Sequence, residues 1–172
     1  QLVRDHSPVF GPNDAPVTIV EFFDPACEAC RAFHPIVKDI MATYPDEVRL
    51  VLRYAAFHPP SEQAIRLLEA ARLQEKLEPV LERLFETQPR WAPHGRAPDN
   101  IWSLLDGTGL DVARAQRESR MPHIVGVLNQ DAADIKSFDV KGTPTFFVNG
   151  KPLESFGQEQ LRDLVRSEVE AL

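Results

Sequence analysis

The stretch VTIVEFFDPACEAC, residues 17–30, carries both cysteines of a 172-residue chain. Its first half, VTIVEFF (17–23), is β-branched and aromatic and apolar on both faces, the pattern of a central strand in a covered sheet. Its second half spaces Cys27 and Cys30 two residues apart. Two thiols so placed can form a staple, half of a metal site, or a redox centre. A staple here closes a very small loop, and the entropic benefit of a cross-link grows with loop length. Hydrophobic residues make up 43% of the chain, enough for a core without it. Redox chemistry and metal binding remain.

Working outward, RAFHPIVKDIMATY (31–44) has helical spacing through Phe33, Ile36, Val37 and Ile40. VRLVLRYAAF (48–57) is a second strand, and residues 1–16, with Pro8, Pro12 and Pro16, form an irregular lead-in. The first sixty residues thus make a βαβ unit. Ser61 is placed to cap a helix running to about Lys76. Leu77, Val80, Leu81, Leu84 and Phe85 continue helical spacing. QPRWAPHGRAP (88–98) is a proline-rich loop. A short helix follows in DNIWSLLDGTG, Asp111 caps another, and residues 122–138 form a longer one. Strands return in TPTFFVNGKPLESF (143–156), where Asn149-Gly150 favours a type I′ hairpin and Pro152 an edge. The last sixteen residues form an amphipathic helix through Leu161, Leu164, Val165 and Leu172. The pattern is an α/β sheet domain interrupted by a helical insertion, with no internal repeat.

Net charge of -7 and a pI near 5.2 argue against a nucleic-acid partner. No run of Lys or Arg suggests an anionic membrane surface. No apolar stretch approaches the roughly 20 residues of a membrane span. A start at Gln1 rather than Met leads us to expect a processed product from which an export signal or anchor has been removed.

Cys27 falls where a strand ends and a helix begins. Helix N-termini carry partial positive charge and unpaired N–H groups, which stabilise the reactive thiolate. Cys30, one turn on and on the same face, is expected to be more buried. An exposed thiolate attacks and a sheltered partner resolves the mixed disulfide. Glu21 shares a strand face with Val17, Ile19 and Phe23. Burial there should raise its pKa and make it a proton acceptor near neutral pH. Pairing with Arg49 or Arg53 is the competing reading. Pro35 lies inside the first helix and should kink it. Cys27, Cys30 and His34 lie at i, i+3 and i+7, which keeps metal binding open, although structural zinc prefers four ligands. His34 reads better as a partly exposed helix residue, and His6, His58, His94 and His123 show no ligand spacing.

Together these residues resemble the thioredoxin superfamily, in particular DsbA-like thiol–disulfide oxidoreductases, over nearly the whole chain. GPNDAPVTIVEFFDPACEAC is similar to that family's opening strand and active site. Glu21, six residues before Cys27, falls on its buried acid, and Pro35, five after Cys30, on its helix-kinking proline. KGTPTFFVNGK is similar to its cis-proline loop, which makes Pro144 the cis-proline. The long Cys27–Pro144 interval suits the DsbA-like subclass. The resemblance implies an α/β thioredoxin-like fold over residues 1–60 and 139–172. An inserted helical subdomain occupies 61–138, its last helix placed to pack on the thioredoxin-like part. It implies catalysis by Cys27 and Cys30, Glu21 moving the Cys30 proton, and Thr143 and Pro144 binding an extended substrate. Beyond the redox-active Cys27–Cys30 disulfide, no cofactor and no metal are implied. Its substrates would be protein or peptide thiols and disulfides, served by a membrane or periplasmic redox partner. The protein would be periplasmic or exported, anchored if at all by a segment outside this chain. Glu28-Ala29 replaces the Pro-His of the best-known DsbA proteins, Ala26 replaces an aromatic residue, and Thr143 replaces Val. Glu28 should oppose the Cys27 thiolate, with Arg31 placed to offset it, so milder oxidising power is expected. The alternatives are a reductase or isomerase fed by a redox partner, a metal-delivery protein using Cys27, Cys30 and His34, and a binding module with a vestigial dithiol.

Overall fold

A computed structural model describes all residues, 1–172. A five-stranded sheet has the order β1-β3-β2-β4-β5. Its strands are β1 (Val9–Phe10), β2 (Val17–Phe23), β3 (Val48–Tyr54), β4 (Thr145–Val148) and β5 (Lys151–Pro152). β2 pairs in parallel with β3 and antiparallel with β4; β1–β3 and β4–β5 are antiparallel. The doubly apolar β2 is therefore central, as its sequence predicts. The helices are α1 (Glu28–Thr43), α2 (Ser61–Leu73), α3 (Leu77–Glu86), α4 (Gln88–Trp91), α5 (Val112–Glu118), α6 (Pro122–Ser137) and α7 (Gln158–Glu170). A 3₁₀ turn spans Ile101–Leu104.

The chain forms two compact units. The first comprises Gln1–Phe23, Cys27–Ala55 and Ala133–Leu172, and contains the whole sheet with α1 and α7. Side-chain alternation separates its two faces. Val20, Phe22, Val51 and Val140 pack on one, joined by Ile135, Phe138 and Phe147. The Phe22, Phe138 and Phe147 rings meet at centroid distances of 6.0–6.5 Å. The other face bears Glu21 opposite Phe146, and Phe33 of α1 stacks on Phe146 at 5.5 Å. Each such buried aromatic contributes roughly 1.5–3 kcal/mol. α1 runs unbroken through Pro35. At the β4–β5 turn Asn149 and Gly150 both have positive φ (49° and 80°), as a type I′ turn demands.

The second unit comprises Asp24–Ala26 and Ala56–Ala132. Ala70, Ala115 and Ile124 form an apolar cluster there with Trp102, Leu110 and Leu128.

Five local expectations are corrected. Val9–Phe10 in the lead-in forms an edge strand on β3, a two-residue pairing too short to leave a periodic signal. The second strand ends at Tyr54 rather than Phe57, and β5 is only two residues long. Gln88–Trp91, read as loop, is a helical turn whose Trp91 is buried; its indole N–H donates to Leu84 O at 2.8 Å. Ser61 is not the cap of α2. Pro60 holds that position, and Ser61 Oγ donates to Asp24 Oδ1 at 2.6 Å. Asp111 does cap α5, accepting from Arg114 N at 3.1 Å.

Candidate active site

β2 ends at Phe23 and α1 begins at Glu28, so Cys27 takes the N-cap position in extended conformation (φ -84°, ψ 127°). Its carbonyl accepts the Arg31 N–H at 3.1 Å. The Cys27 side chain is half-buried, whereas Cys30, inside the first turn, is 1% exposed. No disulfide joins the two sulfurs in this structure. The Cys27 thiol is pulled down from 9.0 to about 5. Its largest cause is a hydrogen bond from the Cys30 thiol, opposed by partial burial; the Thr143 side chain and the Cys30 and Ala29 backbone N–H groups assist. Ala29 thus acts through its main chain at the helix start, where unpaired N–H groups favour an anion. Glu28 and Ala29 side chains are exposed, and water screens the charge of Glu28 there.

Thr143 and Pro144 come to the same place from over a hundred residues away. Cys27 Sγ lies 3.4 Å from the Thr143 carbonyl oxygen, and the Thr143–Pro144 peptide bond is cis. Pro144 is buried and Thr143 half-buried.

Glu21 is 6% exposed, and burial pushes it up from 4.5 to about 8, with the Cys27 charge adding to the rise. The competing pairing with arginine does not form. Arg53 stands opposite Phe22 and Arg49 opposite Thr18, on the other sheet face from Glu21. Arg53 lies over the Phe22 ring at 5.2 Å and pairs with Asp134. Arg49 bonds Thr18 Oγ1 and Asn13 O. His34 is half-buried on α1, and no three His, Cys, Asp or Glu side chains converge to hold a metal ion.

One residue escaped the sequence reading. Asp24, fully buried three residues before Cys27, accepts from Ala26 N and Phe57 N, both at 2.9 Å, and from Ser61 Oγ. Its Oδ2 also lies 2.7 Å from His58 Nδ1. The turn signal in DPAC was the only local hint; Phe57, His58 and Ser61 are more than thirty residues downstream.

A family model described as Thioredoxin matches residues 4–167. The chain belongs to the thioredoxin family. A thioredoxin-like oxidoreductase from Silicibacter pomeroyi DSS-3 superposes with a TM-score of 0.82 at 29% identity, covering 98% of this chain and 95% of that one. DsbA from Xylella fastidiosa superposes at 0.75 with 20% identity, covering 94% and 88%, a likeness of fold. The thioredoxin-like α/β fold thus stands as expected. Among curated relatives, a Na(+)/H(+) antiporter NhaA of Herminiimonas arsenicoxydans is 32% identical over 87% of this chain and 23% of its own length. The chain spans about a quarter of the curated relatives it matches. No helix is long and apolar enough to cross a membrane.

Proposed function

We propose that this chain exchanges disulfides with exported polypeptides through Cys27 and Cys30. The carrying observation is the asymmetry of the pair: a half-buried Cys27 with a pKa of about 5 beside a buried Cys30. In reduction of a substrate, the Cys27 thiolate attacks one sulfur of the disulfide and the other leaves as thiolate. Glu21 accepts the Cys30 proton, and the Cys30 thiolate attacks Cys27 Sγ. The bond to substrate breaks, a second substrate thiolate departs, and the Cys27–Cys30 disulfide forms. Oxidation reverses every step: a substrate thiolate attacks Cys27 of the disulfide, and Cys30 leaves and is protonated from Glu21. A second substrate thiolate then attacks the substrate sulfur of the mixed disulfide and expels Cys27. A thiol of low pKa leaves fast, which supports this direction. Thr143 and Pro144 supply an edge for an extended substrate, a short β-augmentation. A membrane or periplasmic redox partner restores the pair, and the occurrence of similar sequence within antiporter chains supports a setting at a membrane.

The order of the thiols is the test. Cys30→Ser should trap a mixed disulfide with an oxidised peptide, seen by mass spectrometry without reductant, and Cys27→Ser should trap almost none. Equal trapping by both would end the asymmetric mechanism.

A further inference from the structure

In the second unit, a groove of about 840 Å³ opens between α2, the 3₁₀ turn and the end of α5. Arg66, Trp102, Gln116, Arg117 and Arg120 line it, with Glu62 the one acid among its walls. That acid is already engaged: Glu62 Oε1 accepts from Arg66 Nε at 3.2 Å and Nη2 at 2.8 Å. Arg66 Nη1 donates to Ser119 O at 3.3 Å, so Arg66 is held in place. Trp102 packs against Ala70, Ala115 and Ile124, which fixes its indole in the wall.

Arg117 and Arg120 differ from most of the other arginines. The chain has 26 acids against 19 bases, and its arginines generally find them: Arg72 pairs with Glu69, Arg90 with Asp99, Arg114 with Glu118 and Arg162 with Asp39. The guanidinium groups of Arg117 and Arg120 reach no acceptor, nor does the Trp102 indole N–H. The groove therefore holds a surplus of donors around an apolar ring.

We infer that this groove binds an acidic segment of a partner polypeptide, its carboxylates on Arg117 and Arg120 and an apolar side chain on Trp102. Guanidinium groups match carboxylates with paired hydrogen bonds and stand at the centre of many interfaces, as does Trp. A nucleic acid fits poorly, because a net charge of -7 repels a long polyanion. A small inorganic anion would leave the indole and most of the groove unused, since its volume is near the top of the roughly 300–1,000 Å³ range of ligand sites. The inference stands apart from the thiol chemistry.

Fluorescence anisotropy with a labelled, cysteine-free peptide alternating Glu and Leu tests it. The native protein should bind this peptide saturably and ignore a Lys–Leu counterpart, and added salt should weaken binding. Arg117→Glu and Arg120→Glu should each weaken it about tenfold, about 1.4 kcal/mol, and together abolish it, with thermal melts confirming that the variants fold. Trp102→Leu should weaken it several-fold and leave the salt dependence intact. Absence of binding by the native protein, or unchanged binding by the double variant, overturns the inference. Equal competition by inorganic phosphate overturns it in favour of a small-anion site. Dissociation of a dimer on charge reversal, seen by sedimentation, overturns it in favour of a second copy of this chain.

Discussion

At the residue scale, Glu21 and Cys27 are displaced in opposite directions from their ordinary ranges, to about 8 and about 5. Glu21 is therefore protonated while Cys27 is ionised; on the proposed mechanism, bonding of Cys27 to substrate removes the thiolate charge that helps raise Glu21, so Glu21 can then lose its proton and accept that of Cys30. Its folded pKa is raised, so its cost to stability is absent below the unfolded value of 4.5. The cost grows with rising pH and is complete above about 8. Glu21→Gln should accordingly stabilise the protein by up to ~3 kcal/mol at pH 7 and by nothing at pH 4. Release of mixed disulfides should slow in the same variant while first attack by Cys27 holds. Denaturant melts and stopped-flow kinetics read the two effects; an unchanged resolving step would make Glu21 structural. Glu21 was legible as the lone acid in an apolar run. Asp24 was not, because the meaning of a buried carboxylate resides in Phe57, His58 and Ser61.

At the element scale, β3 places Arg53 fully inside the first unit against Asp134 of α6, and Arg4 joins the same carboxylate at 2.9 Å. Arg53 also donates to the carbonyls of Gln1 and Leu2 at 3.0 and 2.6 Å, tying the first residues to the sheet. The Arg4 and Arg53 guanidinium groups hold Asp134 well below the usual carboxylate range. This stabilisation is present above the unfolded value of 3.8 and is lost as pH falls below it. Asp134→Asn removes the carboxylate that Arg53 and Arg4 share, so stability at neutral pH should fall by about 3–5 kcal/mol. A melt within experimental error of the native protein would show that solvent reaches Arg53. Arg53 and Asp134 stand 81 residues apart, and no local pattern links them.

At the scale of the whole molecule, the depressed Cys27 pKa ties redox state to stability. A thiolate with a folded pKa of about 5 against an ordinary 9.0 stabilises the reduced form fully above pH 9 and loses that effect as pH falls through 5. Thermal melts of reduced and oxidised protein over this range should show the reduced form losing ground as pH drops from 9 to 5, then levelling. A constant difference would place Cys27 at an ordinary thiol pKa. A thiol of about 5 lies between thioredoxin (about 7) and DsbA (about 3.5). Its reduction potential should likewise fall between about -270 and -120 mV. Equilibration with glutathione measures it, and a potential as oxidising as that of DsbA would place the Cys27 pKa well below about 5.

Local sequence set the central strand, the helix that begins at the cysteines, the Asn149-Gly150 turn and the place of the cysteine pair at a strand-to-helix junction. Each is a local matter: alternation of side chains, a cap, a positive φ, a spacing of two residues. Residue composition also placed Glu21 among apolar neighbours before any contact was known. Only the tertiary structure brought Thr143 within 3.4 Å of Cys27, turned Arg49 and Arg53 away from Glu21, and used Ser61 to satisfy Asp24 rather than a helix end. It also paired Val9–Phe10 with β3 and left Arg117 and Arg120 without acceptors. The physical reason is that burial and hydrogen-bond partners are set by residues far apart in the chain. A polar group's role depends on what folding places beside it, whereas a strand or turn is already written in its immediate neighbours.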